Sequence, residues 1–533
     1  MKIVTAAQMQ ALDRRTMTEA GIPGLTLMNN AGTAVVQAME QVFGQLAGKV
    51  VSIVCGKGNN GGDGFAVARL LREKRARVQV LLIAKAADLK GDAVAMYRRL
   101  AKARTSAPLH TSPSNDRMRQ VLEKSDVIVD ALLGTGLSAP VTGAYRAAID
   151  MMNTIGARAG IPVTAVDLPS GIHADSGAVL GAAVQASLTV TFGLPKRGLY
   201  VGDGIDHAGE IRIVDIGIPE QYTEAVDTGL ALLTPATVYP LLPRRALSTH
   251  KGTFGHAGII AGSIGKTGAA ALAAKAALRA GAGLVTVATP AGVNATLEGK
   301  LLEVMTVPMP ETEARTLSSV GLEQLVTFAN ERTAVAIGPG LSTHPDTVDL
   351  VRAWIARLKK PSVLDADALN ALAGKTDLLA ACKVQPVLTP HPGEMARLEE
   401  NGSAQAVNAD RIGTATRFAR QHGVVLVLKG ARTIVAGPDG RAAICPTGNP
   451  GMATAGTGDA LTGIIVGLLA QRLNPWNAAC AGTYLHGLAG DFAAADLGAI
   501  GMTAGDLIDR IPRAMTQRFA SQHSAVSVPR PIH

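Results

Sequence analysis

Asn449-Pro450-Gly451-Met452-Ala453-Thr454-Ala455-Gly456-Thr457-Gly458-Asp459 runs directly into Ala460-Leu461-Thr462-Gly463-Ile464-Ile465-Val466-Gly467-Leu468-Leu469. The apolar run reads as a buried helix. The glycine-rich stretch before it reads as a loop at the helix start, where small residues let backbone N–H groups come close to a ligand. Together they make an anion site holding one carboxylate. Taken alone, Asp459 reads equally well as a helix cap, which a helix N-terminus welcomes.

Working outward, 59 glycines and only 3% aromatic residues suit α/β layers with tight strand-to-helix turns. At 533 residues the chain exceeds one ordinary core, so at least two domains are expected. The net charge is +9, but Lys and Arg are scattered, which favours anionic small molecules over a nucleic-acid groove. Cys55, Cys382, Cys445 and Cys480 are far apart with no Cys-x-x-Cys pair. This argues against a zinc site and a disulfide framework, leaving core thiols in a reducing compartment. The N-terminus lacks the apolar core of a signal peptide and no apolar run approaches the ~20 residues of a membrane helix. A soluble cytoplasmic protein with no membrane partner is expected.

In chain order, Thr5 can cap a helix reaching about residue 20, and a second helix covers about 25–43. Val50–Cys55 is an apolar strand, followed by Gly56-Lys57-Gly58-Asn59-Asn60-Gly61-Gly62-Asp63-Gly64 and an amphipathic helix to about residue 74. The glycine stretch is neither a Walker loop nor a good dinucleotide fingerprint. Two adjacent amides and an acid are more polar than a tight turn requires, so a ligand loop is expected. Further strands at 78–83, 127–130 and 163–167 imply a parallel sheet, with Asp130, Asp167 and the Asn59-Asn60 loop at the carboxyl ends of strands. Lys196 and Arg197, after another strand, add cations to the same rim. Between about 217 and 253 the pattern loosens around Pro219, Pro235, Pro240 and Pro243, which sets the domain boundary. A second α/β series follows, with strands at 257–263, 284–288, 334–338, 363–365, 386–389 and 424–429. Gly265-Lys266-Thr267 lacks the first glycine of a Walker loop, so Lys266 reads as solvated.

Gly58-Asn59-Asn60-Gly61-Gly62-Asp63-Gly64, Asp130 with Gly134-Thr135-Gly136, Asp167-Leu168-Pro169-Ser170-Gly171 and Lys196-Arg197-Gly198 resemble the amino-terminal, Rossmann-like domain of the NAD(P)H-hydrate repair enzymes, over residues 1–225. The resemblance implies an epimerase acting on NADHX and NADPHX. It implies a potassium ion on Asn60, Asp130 and Ser170, oxygen ligands that suit a hard cation. It also implies a hydrate pocket lined by Asn59, Asn60, Gly61, Gly62 and Asp63, by Gly134, Thr135, Gly136, Leu137, Ser138, Ala139 and Pro140, and by Asp167. Asp167 is the expected acid or base.

Residues 230–520 resemble the ribokinase-like NAD(P)H-hydrate dehydratases of the same family. The matching pieces are Gly262-Ser263 with Thr267-Gly268-Ala269-Ala270, Gly338-Pro339-Gly340-Leu341, Asp365-Ala366-Asp367-Ala368-Leu369-Asn370, Leu388-Thr389-Pro390-His391-Pro392-Gly393-Glu394, Lys429-Gly430-Ala431-Arg432-Thr433 and the opening signature. The resemblance puts Ala269, Gly340, His391 and Asp459 on the hydrate, with Asp459 as the catalytic base. It puts Lys429, Gly430, Ala431, Arg432, Thr433 and Gly458 on the AMP part of ADP or ATP, which would come with Mg2+. One departure is Ser342-Thr343, where relatives often carry another glycine. A homo-oligomer is also expected, and a disordered tail over 521–533.

The chemistry joins the halves. The hydrated ring carries a hydroxyl beside its nitrogen, hydroxide leaves poorly, and phosphorylation makes elimination easy. A dehydratase selective for the S form strands the R form unless an epimerase returns it. The competing reading is a ribokinase-like kinase that stops at a phosphorylated vitamin precursor, fused to a non-catalytic nucleotide-binding module.

Overall fold

The computed structural model describes residues 1–102, 108–399, 402–516 and 526–528. It divides into two compact α/β units between Thr228 and Gly229, the first also taking up 526–528. Among the described residues no helix is long and apolar enough to cross a membrane.

In the first unit α1 (Ala6–Thr18) starts at Thr5, whose Oγ1 accepts the Gln8 N–H at 3.3 Å while Gln8 Oε1 accepts the Thr5 N–H at 2.9 Å. After α2 (Gly24–Phe43) come β1 (Val50–Cys55), α3 (Asn59–Glu73), β2 (Arg77–Leu82), β3 (Leu109–Thr111), β4 (Val127–Ala131), β5 (Val163–Val166), β6 (Leu188–Phe192) and β7 (Glu210–Val214). These strands are parallel and lie in the order β7-β6-β5-β4-β1-β2-β3. The chain walks outward from β1 to β3, then returns to the other side of β1 with β4. The crevice that such a reversal opens lies at the carboxyl ends of β1 and β4.

One expectation is corrected here. The glycine-rich stretch after β1 is a loop only to Gly58, and α3 begins at Asn59. None of Gly58, Gly61, Gly62 and Gly64 has a positive φ, so no left-handed turn calls for them. They permit close packing instead. A Cβ on Gly61 would lie 2.0 Å from the Gly56 carbonyl oxygen, one on Gly62 2.7 Å from Met28 Cε, and one on Gly64 2.7 Å from Ala131 Cβ.

The second unit contains β8 (Leu230–Leu232), β9 (His256–Ile260), β10 (Leu284–Pro290), β11 (Met305–Met309), β12 (Ala334–Ile337), β13 (Ser362–Leu364), β14 (Val387–Leu388), β15 (Val425–Leu428), β16 (Ile434–Ala436) and β17 (Ala442–Ile444). Their order is β11-β10-β9-β12-β13-β14-β15-β16-β17-β8, parallel from β11 to β15 and antiparallel through β16. The reversal recurs here between β9 and β12. The helix Thr457–Ala470 is buried at every position from Ala460 to Ala470. Its Gly463 faces the Ala273 carbonyl, where a Cβ would sit 2.1 Å away, so the small residues of the opening stretch buy a close helix–helix approach.

Sequence periodicity did not reveal β3, β7, β8, β11, β16 or β17, which are short or lie toward sheet edges. In the stretch expected as a tail, β18 (Val526–Val528) pairs antiparallel with β7, and the rest of 521–533 lies outside the described residues. An edge strand offers unpaired backbone groups that composition alone cannot report.

Candidate active sites

At the crevice of the first sheet lies a cleft of ≈ 870 Å³. Of the residues expected there, Asn59, Asn60, Asp63, the run from Gly134 to Pro140 and Asp167 line it. Gly61 and Gly62 do not, because they are packed against Gly56 and Met28.

Asp167 follows β5 with φ 68°, a left-handed conformation that a non-glycine residue holds only under constraint. The constraint is visible. Its Oδ1 accepts from Lys196 Nζ at 2.5 Å, Thr191 Oγ1 at 3.1 Å and the Phe192 N–H at 3.3 Å. Lys196 is only 1% exposed and also donates to the Phe192 carbonyl at 2.8 Å. The sequence placed Lys196 on the rim as a general cation; its burial is possible because Asp167 offsets its charge. Asp63 carries a carboxyl held well above its usual range by burial, then by Asp167 and Asp13. Asp13, on α1, lines the same cleft and was not singled out by sequence, because a lone acid in an amphipathic helix reads as a solvated face.

Asp130, at the end of β4, is fully buried. Ser170 Oγ donates to its Oδ1 at 2.6 Å, the Ser170 N–H to Oδ2 at 2.8 Å and the Leu132 N–H to Oδ1 at 3.2 Å. Burial nevertheless pushes the carboxyl up to about 6. No side-chain cation pairs with it among the described residues, while Asn60 Nδ2 is buried without a partner. An unneutralised buried carboxylate and a hydroxyl are hard oxygen donors that fit a monovalent cation, to which Asn60 would add its Oδ1 rather than the orphaned Nδ2.

In the second unit the loops after β9 and β12 are tied together: Ser263 Oγ donates to the Gly340 carbonyl at 2.7 Å and the Gly262 N–H to the Pro339 carbonyl at 2.9 Å. Gly340 has φ 66°, and a Cβ there would lie 3.2 Å from Ala269 Cβ, so these two expected residues are neighbours. Ser342 has φ 85° and its N–H donates to Asp367 Oδ2 at 2.8 Å. Its left-handed backbone explains why glycine suits that position. Lys266 is half-exposed, 3.5 Å from Asp367 Oδ2.

Lys429, after β15, is no surface charge. Its Nζ lies 2.8 Å from Asp365 Oδ1 and 3.7 Å from Glu394 Oε2. Thr462 Oγ1 donates to Asp365 Oδ2 at 2.7 Å. Burial works against the Asp365 anion, but Lys429 and these hydrogen bonds outweigh it and hold its carboxyl below the usual range. The sequence quoted Asp365 only as part of a motif; its ion pair appears when β13 and β15 are brought to one side of the sheet by the strand order. Arg411, also unanticipated, donates through Nη2 to the Leu428 and Lys429 carbonyls at 3.1 Å and so braces the loop carrying Gly430, Ala431, Arg432 and Thr433. Arg432 has φ 54° and donates to the Pro446 carbonyl, whereas Thr433 Oγ1 turns back to the Gly430 carbonyl at 2.9 Å.

His391 caps the helix Pro392–Leu398, its Nδ1 accepting the Gly393 and Glu394 N–H groups at 3.0 and 3.3 Å. Asp459 is not the cap of its own helix. Gly456, at φ 90°, holds that place without a side-chain cap, and Asp459 sits in the first turn. Burial, then the neighbouring Asp365 anion, push its carboxyl up to about 7 against the pull of Lys429. A Cβ on Gly458 would lie 3.5 Å from Lys429 Nζ, so the anion loop, the lysine and the raised carboxyl converge. Behind them His486 Nε2 bonds the Thr457 carbonyl at 2.9 Å.

Among the described residues no group of three or more His, Cys, Asp or Glu is arranged to hold a metal. Four of the eight non-glycine residues with positive φ among the described residues, Asp167, Ser342, Ala366 and Arg432, fall in or directly after the motifs quoted from sequence. Backbone strain thus gathers where the polar groups do.

A family model described as NAD(P)H-hydrate dehydratase matches residues 257–513, and one described as YjeF-related protein N-terminus matches residues 24–198. The chain is 48% identical over 514 residues to the bifunctional NAD(P)H-hydrate repair enzyme of Moorella thermoacetica, covering 96% of both chains. It is 36% identical over 509 residues to that of Escherichia coli K12, covering 95% of this chain and 92% of the other. Among solved structures it is similar to the ADP/ATP-dependent NAD(P)H-hydrate dehydratase of Bacillus subtilis co-crystallised with ATP/Mg2+ (31% identity, TM-score 0.46, 54% of this chain and 98% of that one).

Proposed function

This chain belongs to the bifunctional NAD(P)H-hydrate repair enzymes, and on that premise we propose how its two sites divide the work. The enzyme interconverts the R and S forms of NADHX and NADPHX and dehydrates the S form to the reduced cofactor at the expense of ADP or ATP. Relatives aligned over nearly the whole chain displace the reading of a vitamin-precursor kinase fused to a non-catalytic module.

Epimerisation belongs to the cleft of the first unit. Asp167, with one oxygen taken by Lys196, is its acid–base group. Asn60, Asp130 and Ser170 would hold K+, which when bound supplies positive charge beside the buried Asp130 carboxylate and stiffens the cleft wall. The support is the buried Asp130 carboxylate, which no side-chain cation neutralises among the described residues.

Dehydration belongs to the second unit, and the observation that carries this reading is the Asp459 carboxyl held at about 7 beside Lys429 and the N-terminus of the helix Thr457–Ala470. A carboxyl poised near neutrality can take the proton from the hydrate hydroxyl as that oxygen attacks the terminal phosphoryl group. N–H groups at the helix start stabilise the charge on the transferring group. Lys429, held by Asp365 and Glu394, meets the nucleotide with Gly430 to Thr433 and Gly458, while Ala269, Gly340 and His391 face the hydrate. Mg2+ would accompany the nucleotide phosphates, as suits an ion that relies on few protein ligands. The ring nitrogen lone pair then expels phosphate and restores the reduced cofactor.

The test is to incubate the protein with mixed hydrate epimers and ADP or ATP while following the return of reduced-cofactor absorbance. Full conversion of the mixture is expected. Conversion that stops at the S fraction removes the epimerase assignment, and accumulation of a phosphorylated hydrate removes the dehydratase one.

A further inference from the structure

The cleft of the first unit holds an acid that the reaction can use and that lies outside the residues matched by the amino-terminal family model, which begin at 24. We infer that Asp13 of α1 is a catalytic residue of epimerisation, exchanging a proton with the hydrate opposite in sense to the exchange made by Asp167. This rests on the reading of the first unit as the epimerase.

The chemistry requires two groups. The hydroxyl-bearing carbon is a carbinolamine, and inversion follows if its bond to the ring nitrogen opens. The hydroxyl proton goes to a base and the oxygen electron pair forms a C=O bond. The pair of the broken C–N bond passes to nitrogen, which takes a proton from an acid. Rotation and reclosure on the other face of the carbonyl return both protons, so nothing is consumed. A carboxyl with one oxygen already committed, as Asp167 has, cannot be acid and base in the same step.

Asp167 is suited to one role only. Its Oδ1 is occupied by Lys196, Thr191 and the Phe192 N–H, so only Oδ2 is left to meet the hydrate. Asp13 reaches the same cleft from a different element and, among the described residues, accepts no hydrogen bond, although it is not fully exposed. An unpartnered, half-buried carboxyl in a ligand cleft has no structural task to explain it. The charged groups sharing that cleft are Arg14, Lys57, Asp63, Asp92, Asp167 and Lys196. Against α1 also packs the helix Glu220–Ala225, bringing Glu220, Glu224 and Tyr222, whose ring takes the Arg15 guanidinium at 4.5 Å. Burial pushes the Asp13 carboxyl up to about 6, opposed by Lys196 and assisted by Asp167. The Asp63 carboxyl is raised as well, by burial and then by Asp167 and Asp13, so the carboxyls of the cleft oppose one another's ionisation.

The experiment measures epimerase kcat, KM and the pH profile of kcat/KM for wild type, Asp13→Asn and Asp13→Glu in the full chain, using purified R-NADPHX. Asp13→Asn is expected to lower kcat by about 100-fold with KM within about threefold, and to remove the fall in kcat/KM as pH rises through about 6. Asp13→Glu recovers part of kcat and displaces that limb. Asp13→Asn with kcat within about threefold of wild type, or with the alkaline limb unchanged, overturns the inference. Should Asp13→Asn fail to fold, Asp13→Glu decides: a displaced limb supports the inference and an unchanged one overturns it. A wild-type protein that does not epimerise at all refutes the underlying reading instead.

Discussion

Replacing Asp459 by Asn separates function from stability in opposite directions. The side chain keeps its shape and, because Gly456 rather than Asp459 occupies the cap, no capping bond is lost. What disappears is a carboxyl whose ionisation the fold resists, raised from 3.8 to about 7 by burial and then by Asp365. An acid raised in this way stabilises the fold fully below its unfolded value and loses that contribution as pH rises through the folded one. Wild type is therefore progressively penalised from about pH 4 to about pH 7, by up to ~4 kcal/mol, whereas the Asn variant is not. Urea unfolding of the second unit should show the variant gaining on wild type across that window and levelling above it. Turnover should move the other way. Loss of a general base costs roughly 100-fold to 10,000-fold, so dehydratase kcat should fall by that factor with nucleotide binding retained. In wild type, where the base must be ionised, kcat/KM should drop about fivefold between pH 7 and 6 and nearly tenfold per unit below that, and that limb should be absent from the variant. Epimerase activity in the same preparation serves as the internal control. Turnover of Asp459→Asn within a few-fold of wild type would refute the catalytic role, and an unfolding difference independent of pH would refute the raised carboxyl.

Two further outcomes follow from the other clusters. Asp130→Ala should abolish epimerisation while leaving dehydration of purified S-NADPHX nearly intact, and exchanging K+ for choline should do the same reversibly; equal loss of both activities in a folded variant would contradict two separate sites. Lys429→Met should raise the apparent KM for nucleotide far more than that for NADPHX, and because Asp365 would then be buried without its cation, stability should fall by ~3–5 kcal/mol. Adding Asp365→Asn should restore the unfolding midpoint but not the nucleotide KM; recovery of both would make the lysine structural only.

Much of the molecule was determined by local chemistry alone. Alternating apolar strands and glycine-rich junctions specified two parallel α/β units, and the carboxylates Asp130, Asp167 and Asp459 stood out because each lies at or just past the end of a strand or in the first turn of a helix. What local pattern could not decide is which groups meet. Asp365 and Lys429 are 64 positions apart and pair only because β13, β14 and β15 lie side by side in the sheet. Asp13 and Asp167 share a cleft only because α1 and the end of β5 reach it from distant parts of the chain. The glycines after β1 read as part of a ligand loop, yet their missing Cβ atoms serve the approach of α3 to Gly56 and Ala131. Burial and neighbouring charge are sums over such distant contacts, so the raised carboxyls of Asp13, Asp63 and Asp459 exist only in the folded chain, where low-dielectric surroundings make ionisation costly.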